Sequence, residues 1–326
     1  MSSEDLTTSS WLSLDVDEDI NETSLYWDLH IFTIIEIVRL IIRLSALISN
    51  IYLIVIIIRF MKLRTTINRV IFLYAVISTG FLTSGVLVTI IARFTSVDYY
   101  TDCLLIGVEK FTEILLHFAL TLLAISWYVP SYHPALNNKY PLVLKYGVGV
   151  CFLVISITAT GFSIVNCSNQ NAKYYQMYFT VELLCFSLCA IILIGLTILK
   201  RYKKPALDAL ETAYAFSIPH IVFIISALAT LLSVLVLLIE SQVSTYQKIL
   251  FRLVYLEQIS SCLDLAEPIV VLYILAKSSK HFKIAYLKCC KKNLQNYEND
   301  LDVSPTTNAG SGNNVTFHRT SENIWM

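Results

Sequence analysis

Apolar positions along this chain fall into seven long stretches separated by short polar segments, from about Phe32 to Lys277. The stretches are Ile34–Arg59, Val70–Ile91, Leu104–Tyr128, Leu142–Val165, Met177–Leu199, Phe216–Ile239 and Ile249–Ala276. Each is close to the ~20 residues a helix needs to cross a bilayer core at about 1.5 Å rise per residue. The pattern predicts an all-α membrane protein, a bundle of seven transmembrane helices occupying residues 32–277. No connecting segment is long enough for a soluble catalytic domain. Function is therefore expected within the membrane or at the loop ends.

Composition agrees. Charged residues make up 15% of the chain and apolar residues 56%, against roughly 25% charge in soluble domains. The net charge of zero hides an asymmetry. Glu4, Asp5, Asp15, Asp17, Glu18, Asp19, Glu22 and Asp28 crowd the start, where no Lys or Arg occurs. Arg59, Lys62, Arg64 and Arg69 follow the first stretch, Lys200, Arg201, Lys203 and Lys204 the fifth, and Lys277, Lys280, Lys283, Lys288, Lys291 and Lys292 the seventh. The alternate loops carry mainly Arg93, Lys173 and Lys248. Basic loops face the cytoplasm, so the amino terminus is expected outside and the carboxyl terminus inside, in a multi-pass plasma-membrane protein. Residues 1–31 read as a disordered acidic extracellular tail and 293–326 as a disordered cytoplasmic tail. No apolar core follows Met1, so no cleavable signal peptide is expected, and the first helix would act as signal anchor.

Cysteines and sequons sort by the same topology. Cys151, Cys185, Cys189 and Cys262 fall inside stretches, where a thiol acts as a small apolar group. Cys103 and Cys167 are the two on the outer face, where thiols pair; two independent buried thiols are the alternative. Asn21-Glu22-Thr23 and Asn166-Cys167-Ser168 are outer glycosylation sequons, and Asn314-Val315-Thr316 falls inside and should stay bare.

An outside amino terminus, seven helices and a tie from the third helix to the second outer loop resemble the rhodopsin-like G-protein-coupled receptors, over about Ile34 to Cys290. Asn50 in Ser49-Asn50-Ile51 stands where the family keeps an asparagine. Asn68 with Leu73-Tyr74-Ala75-Val76-Ile77-Ser78 is similar to the second-helix pattern, with Ser78 in place of the usual aspartate. His133-Pro134 follows the third helix as the family's His/Met-Pro pair does. Asp264-Leu265-Ala266-Glu267-Pro268 resembles the seventh-helix Asn-Pro motif with Glu267 for Asn, and Val271 stands where its tyrosine is expected. Residues 278–292 resemble a membrane-surface helix whose Cys289 and Cys290 would carry palmitoyl groups. Departures are marked. Ser126-Trp127-Tyr128 replaces the acidic-Arg-Tyr triplet, the fourth stretch lacks its Trp and the fifth its Pro, and Ser217 stands where a Trp is expected in the sixth. Such divergence is similar to that of invertebrate serpentine chemoreceptors.

Ionisable residues at mid-span are costly and tend to be functional. Glu109, Glu113 and His117 recur every four residues and share one helix face with Lys110 beside them. By resemblance this stretch lines a ligand pocket, so Glu109, Lys110 and Glu113 are candidate ligand-binding residues. A carboxylate there attracts an amine; the alternative is that Lys110 neutralises one acid and the face is structural. Asn50, Ser78, His117, Asp264, Glu267 and Pro268 form a deeper candidate switch network, or a polar network that merely joins helices. Glu36, Arg39 and Arg43 share one face of the first helix. Glu182 and His220 read as helix–helix contacts. Trp127, Tyr128, Lys200, Arg201, Lys203 and Lys204 are candidate coupling residues, though the basic ones suit anionic lipid equally.

Enzymatic readings are weak. His30, His117, His133, His220, His281 and His318 contain no His-x-x-x-His spacing for zinc, and no Gly-x-Ser-x-Gly occurs. Lys248 and Lys277 lie at the ends of the seventh stretch, not at the mid-position a retinal protein needs. The chain is expected to be no enzyme and to hold no cofactor or metal. Its expected partners are a small-molecule ligand, a heterotrimeric G protein and the lipid bilayer, with no nucleic acid. The expected function is that of a receptor, with a seven-helix ligand-gated chemosensory channel or a non-signalling membrane protein of the same fold as alternatives.

Overall fold

The structure, a computed structural model, describes residues 22–94, 99–139, 147–168, 174–202, 212–242 and 247–289. Among these residues the regular structure is helical, without strands. The helices are α1 (Glu22–Arg59), α2 (Thr66–Phe94), α3 (Tyr99–Tyr132), α4 (Pro134–Lys139), α5 (Val148–Ser168), α6 (Tyr174–Tyr202), α7 (Tyr214–Gln242), α8 (Gln247–Leu265), α9 (Glu267–Ser278) and α10 (Lys280–Lys288). The described residues up to Tyr286 belong to one compact unit; of a second unit, residues 287–289 alone are described.

Helices lie in all seven expected stretches, residues 142–146 of the fourth being outside the described ones, and differ from expectation in several places. α1 begins at Glu22, so it takes in residues 22–31, expected as part of the tail. α3 is a turn longer than expected at its start. The last stretch is two helices. Pro268 lacks an N–H and disfavours helical geometry just before it. α8 accordingly ends at Leu265, Ala266 has φ −82° and ψ −6°, and α9 starts at Glu267. The two axes differ by 42°.

Among the described residues five stretches are long and apolar enough to cross a membrane: Thr33–Arg59, Thr66–Leu87, Cys103–Tyr132, Thr180–Tyr202 and Tyr214–Leu232. A sixth is gained if Gln258–Leu265 and Glu267–Ser278 count as one broken span. In α5 the apolar run Val148–Gly161 is shorter. The outward faces are apolar: Ile41, Ile48, Ile191 and Ile224 are all exposed. Lipid suits such a surface, since in water a contiguous apolar face of this size invites association.

α3 is the central helix, packed against α2, α5, α6 and α7. Its middle, Phe118 to Ala124, is buried, and Phe118 stacks on Phe152 of α5 with centroids 4.4 Å apart. α1 packs on α2, α8 and α9. There Ala46, Leu82 and Leu265 form a buried core with Ile42, Phe81 and Ile269 against it.

Contacts gather one set of helix ends together. Tyr214 at the start of α7 donates to Asn68 Oδ1 near the start of α2 at 2.9 Å, and its ring meets Phe282 of α10 edge-on. Tyr52 of α1 stacks on Tyr286 of α10 and donates to its carbonyl at 3.0 Å. Burial, with the Tyr52 and Tyr214 phenols beside it, pushes the Tyr286 phenol far above the usual tyrosine range. Arg59, Arg69, Lys200, Arg201, Lys277 and Lys280 lie near helix ends at or next to this junction, and Lys62 and Arg64 lie in the connection between α1 and α2, where residues Met61–Leu63 form a 3-10 turn.

Candidate functional site

The polar residues inside the bundle form three groups. The first lies in the half of the bundle away from that junction. Lys110 Nζ of α3 sits 2.9 Å from Glu113 Oε2, one turn along the same helix, and 2.7 Å from Glu182 Oε2 of α6. The Glu113 contact is a hydrogen bond; the Glu182 contact is an ion pair without hydrogen-bond geometry. Lys110 thus pairs with Glu113, one of the two arrangements the sequence left open. It also takes Glu182, which had read as a simple helix contact. Glu109, on the same face, feels the Arg43 guanidinium of α1 as well as Lys110.

One turn further along each helix lies an aromatic ring. His117 is four residues after Glu113, and Phe186 four after Glu182. His117 meets Phe186 edge-on at 5.3 Å and Phe223 of α7 at 5.5 Å, and the two phenylalanines stack at 5.0 Å. A three-ring floor therefore underlies the ion triad.

On α1, Arg39 Nη1 donates to Glu36 at 2.9 Å and to Gln258 of α8 at 2.7 Å. Arg43 lies against Gly85 of α2. A Cβ at that position would meet the Arg43 guanidinium at 2.9 Å, so glycine permits the close approach.

The second group surrounds the α8/α9 break. Asn50 Nδ2 of α1 donates to Ser78 Oγ of α2 at 2.8 Å, and Ser226 Oγ of α7 donates to Glu267 Oε1 at 2.5 Å. Glu267, Asn50 and Ser78 are all buried. Pro268 sits in the first turn of α9. Asn50 Oδ1, Tyr74 Oη and Asp264 Oδ1 are buried with no hydrogen-bond partner. His117, grouped with these residues from the sequence, forms part of the ring floor. Among the described residues no cluster of three or more His, Cys, Asp or Glu side chains could hold a metal ion.

The third group ties α3, α6 and α7 at the junction end. Trp127 and Tyr128 are buried. Lys200 Nζ lies over the Phe216 ring at 4.4 Å and the Trp127 ring at 5.4 Å, and those two rings are 5.3 Å apart. His220 contacts Thr197 Oγ1 of α6 at 2.7 Å, the helix–helix role expected of it. Arg201 is exposed.

Cys103 is buried and disulfide-bonded. Cys167 and Asn166 lie in α5 with side chains outside the described residues, so the Cys103–Cys167 pairing stays an expectation from the sequence. Asn21, Lys203, Lys204 and Cys290 are also outside the described residues, and Cys289 carries a free thiol.

Sequence reasoning missed Ser226, Gln258, Gly85, Phe186 and Phe223. The polar ones are single uncharged residues in apolar helices, and the rings sit among many others, so no local signal marks them. No protein-family model matches this sequence, and a search of curated proteins finds no match either. These comparisons identify no family.

Proposed function

We propose that this protein is a seven-span plasma-membrane receptor, with its amino terminus outside and its carboxyl terminus inside. It binds a small extracellular ligand between helices and signals to a cytoplasmic partner, a heterotrimeric G protein by resemblance. The observation that carries the reading is the layout of α3. That helix holds an ion triad and ring floor in one half, and the Trp127–Lys200–Phe216 contact in the other, with α6 and α7 engaged at both levels. A ligand that shifts α3 against α6 at the triad would bias the packing at the far end, a population shift between two arrangements. The basic residues at the junction end favour the cytoplasmic side for that end.

A second reading has its own support. A helix broken inside a bundle and flanked by Asp264 and Glu267 is an arrangement that ion-conducting and transporting proteins use. This favours the ligand-gated channel as the alternative. Epitope tags separate the two. In the receptor, a tag before Trp11 stains on intact cells and one after Met326 stains only after permeabilisation; the reverse pattern is that of the channel. Activation of G proteins by a ligand panel in the same cells then tests coupling, and silence across all G-protein classes would favour a membrane protein that keeps the fold without signalling.

A further inference from the structure

We propose that the ring of Tyr214 is the catch of a latch that holds the first turn of α7 closed against α10 and α2, with Pro219 as the hinge on which that turn swings. The inference deepens the receptor reading by naming what restrains the junction end at rest. It rests on that reading only for what the opening signals.

The hinge follows from the sequence of α7. Pro219 lies inside the helix, five residues after its start at Tyr214. Proline offers no N–H to the carbonyl of Ala215, and its ring crowds that carbonyl. The turn from Tyr214 to Ile218 is therefore joined to the rest of α7 by a weakened backbone ladder, and helices bend at such places. Side chains patch the turn. Ser217 Oγ donates to the Ala213 carbonyl at 3.3 Å, and His220 Nδ1 contacts the Phe216 carbonyl at 2.6 Å.

The catch is part of a row of rings. Tyr214, Phe282, Tyr286 and Tyr52 follow one another with centroids 6.1, 5.9 and 5.8 Å apart, so the row runs from α7 over α10 to α1. Phe282 is fully buried. α10 presents it from a fixed base, because the buried Ser279 accepts a hydrogen bond on its Oγ from the Phe282 N–H at 3.4 Å. Tyr214 also reaches α2 through Asn68. Two residues on, Phe216 packs on Trp127 and lies under Lys200. One proline-bounded turn is thus held to α2 and α10 by its first ring and to α3 and α6 by its second. Ring contacts draw most of their strength from apolar burial, and they come apart without stranding a charge.

The closed form also carries a cost. The Tyr286 hydroxyl is buried with no hydrogen-bond partner, which is unfavourable for any polar group shut away from water. The Tyr214 phenol lies within electrostatic range of it. When Tyr214 swings out, water can enter beside Tyr286 and satisfy that hydroxyl. Closed and open forms therefore lie closer in free energy than a fully satisfied contact would set them, as a two-position device requires.

Two spin labels on the full-length chain in lipid nanodiscs report the position of the turn. Labels carried on ketone-bearing side chains at Thr66 and Ser217, both exposed, leave the native cysteines untouched. Double electron–electron resonance should give a single short distance in the otherwise unsubstituted chain. Phe282→Ala and Tyr214→Ala should each add a longer-distance population, and both together no more than either alone, since they remove the same contact. Tyr214→Phe keeps the ring and should keep the single short distance. Adding Pro219→Ala to Phe282→Ala restores the missing N–H and should shrink the longer population; an unchanged one overturns the hinge. A control pair at Leu104 and Leu184, exposed in the half that holds the ion triad, should not move. Broadening there as well as at the turn overturns the latch, because the rings are then ordinary core. Phe282→Leu, which keeps apolar bulk without a ring, carries the same expectation if Phe282→Ala does not fold. Failure of both and of Tyr214→Ala to fold overturns the latch on the same ground. A folded Phe282 variant with the short distance alone overturns the proposal even where ligands still drive G-protein signalling. A longer population without any rise in basal G-protein activation keeps the latch and removes the receptor role.

Discussion

The two halves of the bundle handle a half-buried lysine in opposite ways. Lys110 is held by two carboxylates from α3 and α6, while Lys200, on α6 as well, is held by the rings of Trp127 and Phe216. Carboxylates bind a cation strongly, but they are themselves charges that must stay paired inside the protein. Rings bind it more weakly and need nothing in return. One half is therefore sensitive to removing or adding a single charge, and suits ligand exchange. The other can be opened and closed at small cost, as a contact between moving helix ends requires.

The same substitution at both lysines tests this difference directly. Lys110→Met keeps the stem and strands Glu113 and Glu182. Removing one partner of a buried ion pair costs about 3–5 kcal/mol, so thermal unfolding in detergent should show a severe loss. Comparable behaviour of Lys110→Met and Lys200→Met would erase the contrast between the halves.

Gly85→Ala comes next. Its Cβ would meet the Arg43 guanidinium at 2.9 Å, the far end of a side chain that can shift, so the cost lies at the low end of overpacking, about 1 kcal/mol. Combining it with Arg43→Ala should recover part of the loss, since contacting sites are not additive. Strict additivity in the double mutant would show that the two side chains do not meet.

Lys200→Met should have a similar cost, about 0.5–2 kcal/mol, the worth of a cation over a ring. Its larger effect is expected on signalling, as raised basal activity when the tie between α3, α6 and α7 weakens. Unchanged basal activity in a correctly inserted, stable Lys200→Met protein would show that this contact is not part of the switch.

The smallest effect belongs to Tyr214→Phe, which removes the donor to Asn68 at 2.9 Å. One neutral hydrogen bond contributes about 0.5–1.5 kcal/mol. The loss should appear in unfolding measurements without any change in ligand binding, because the contact lies at the junction end and not at the ion triad. Reduced ligand binding in this variant would mean that the two halves are coupled already in the resting protein.

The sequence by itself determined the helices and where the buried charges fall along them. Length and apolarity place a helix without reference to any neighbour, because a run of about twenty apolar residues satisfies its own backbone hydrogen bonds and needs only lipid or other helices outside. The four-residue spacing put Glu109, Glu113 and His117 on one face of α3, whereas the last stretch, expected as one helix, is broken before Pro268 into α8 and α9. Partners were decided by tertiary structure. Glu182 lies 69 positions after Glu113, and nothing local to either indicates that Lys110 will lie between them. His117 shows the limit from the other side. Its spacing placed it on one face with Glu113, yet only the packing of α6 and α7 on α3 sets its ring against Phe186 and Phe223. Periodicity within one helix fixes which residues share a face. Which face meets which neighbour depends on the packing of side chains from several helices at once, and that information is spread over the whole chain.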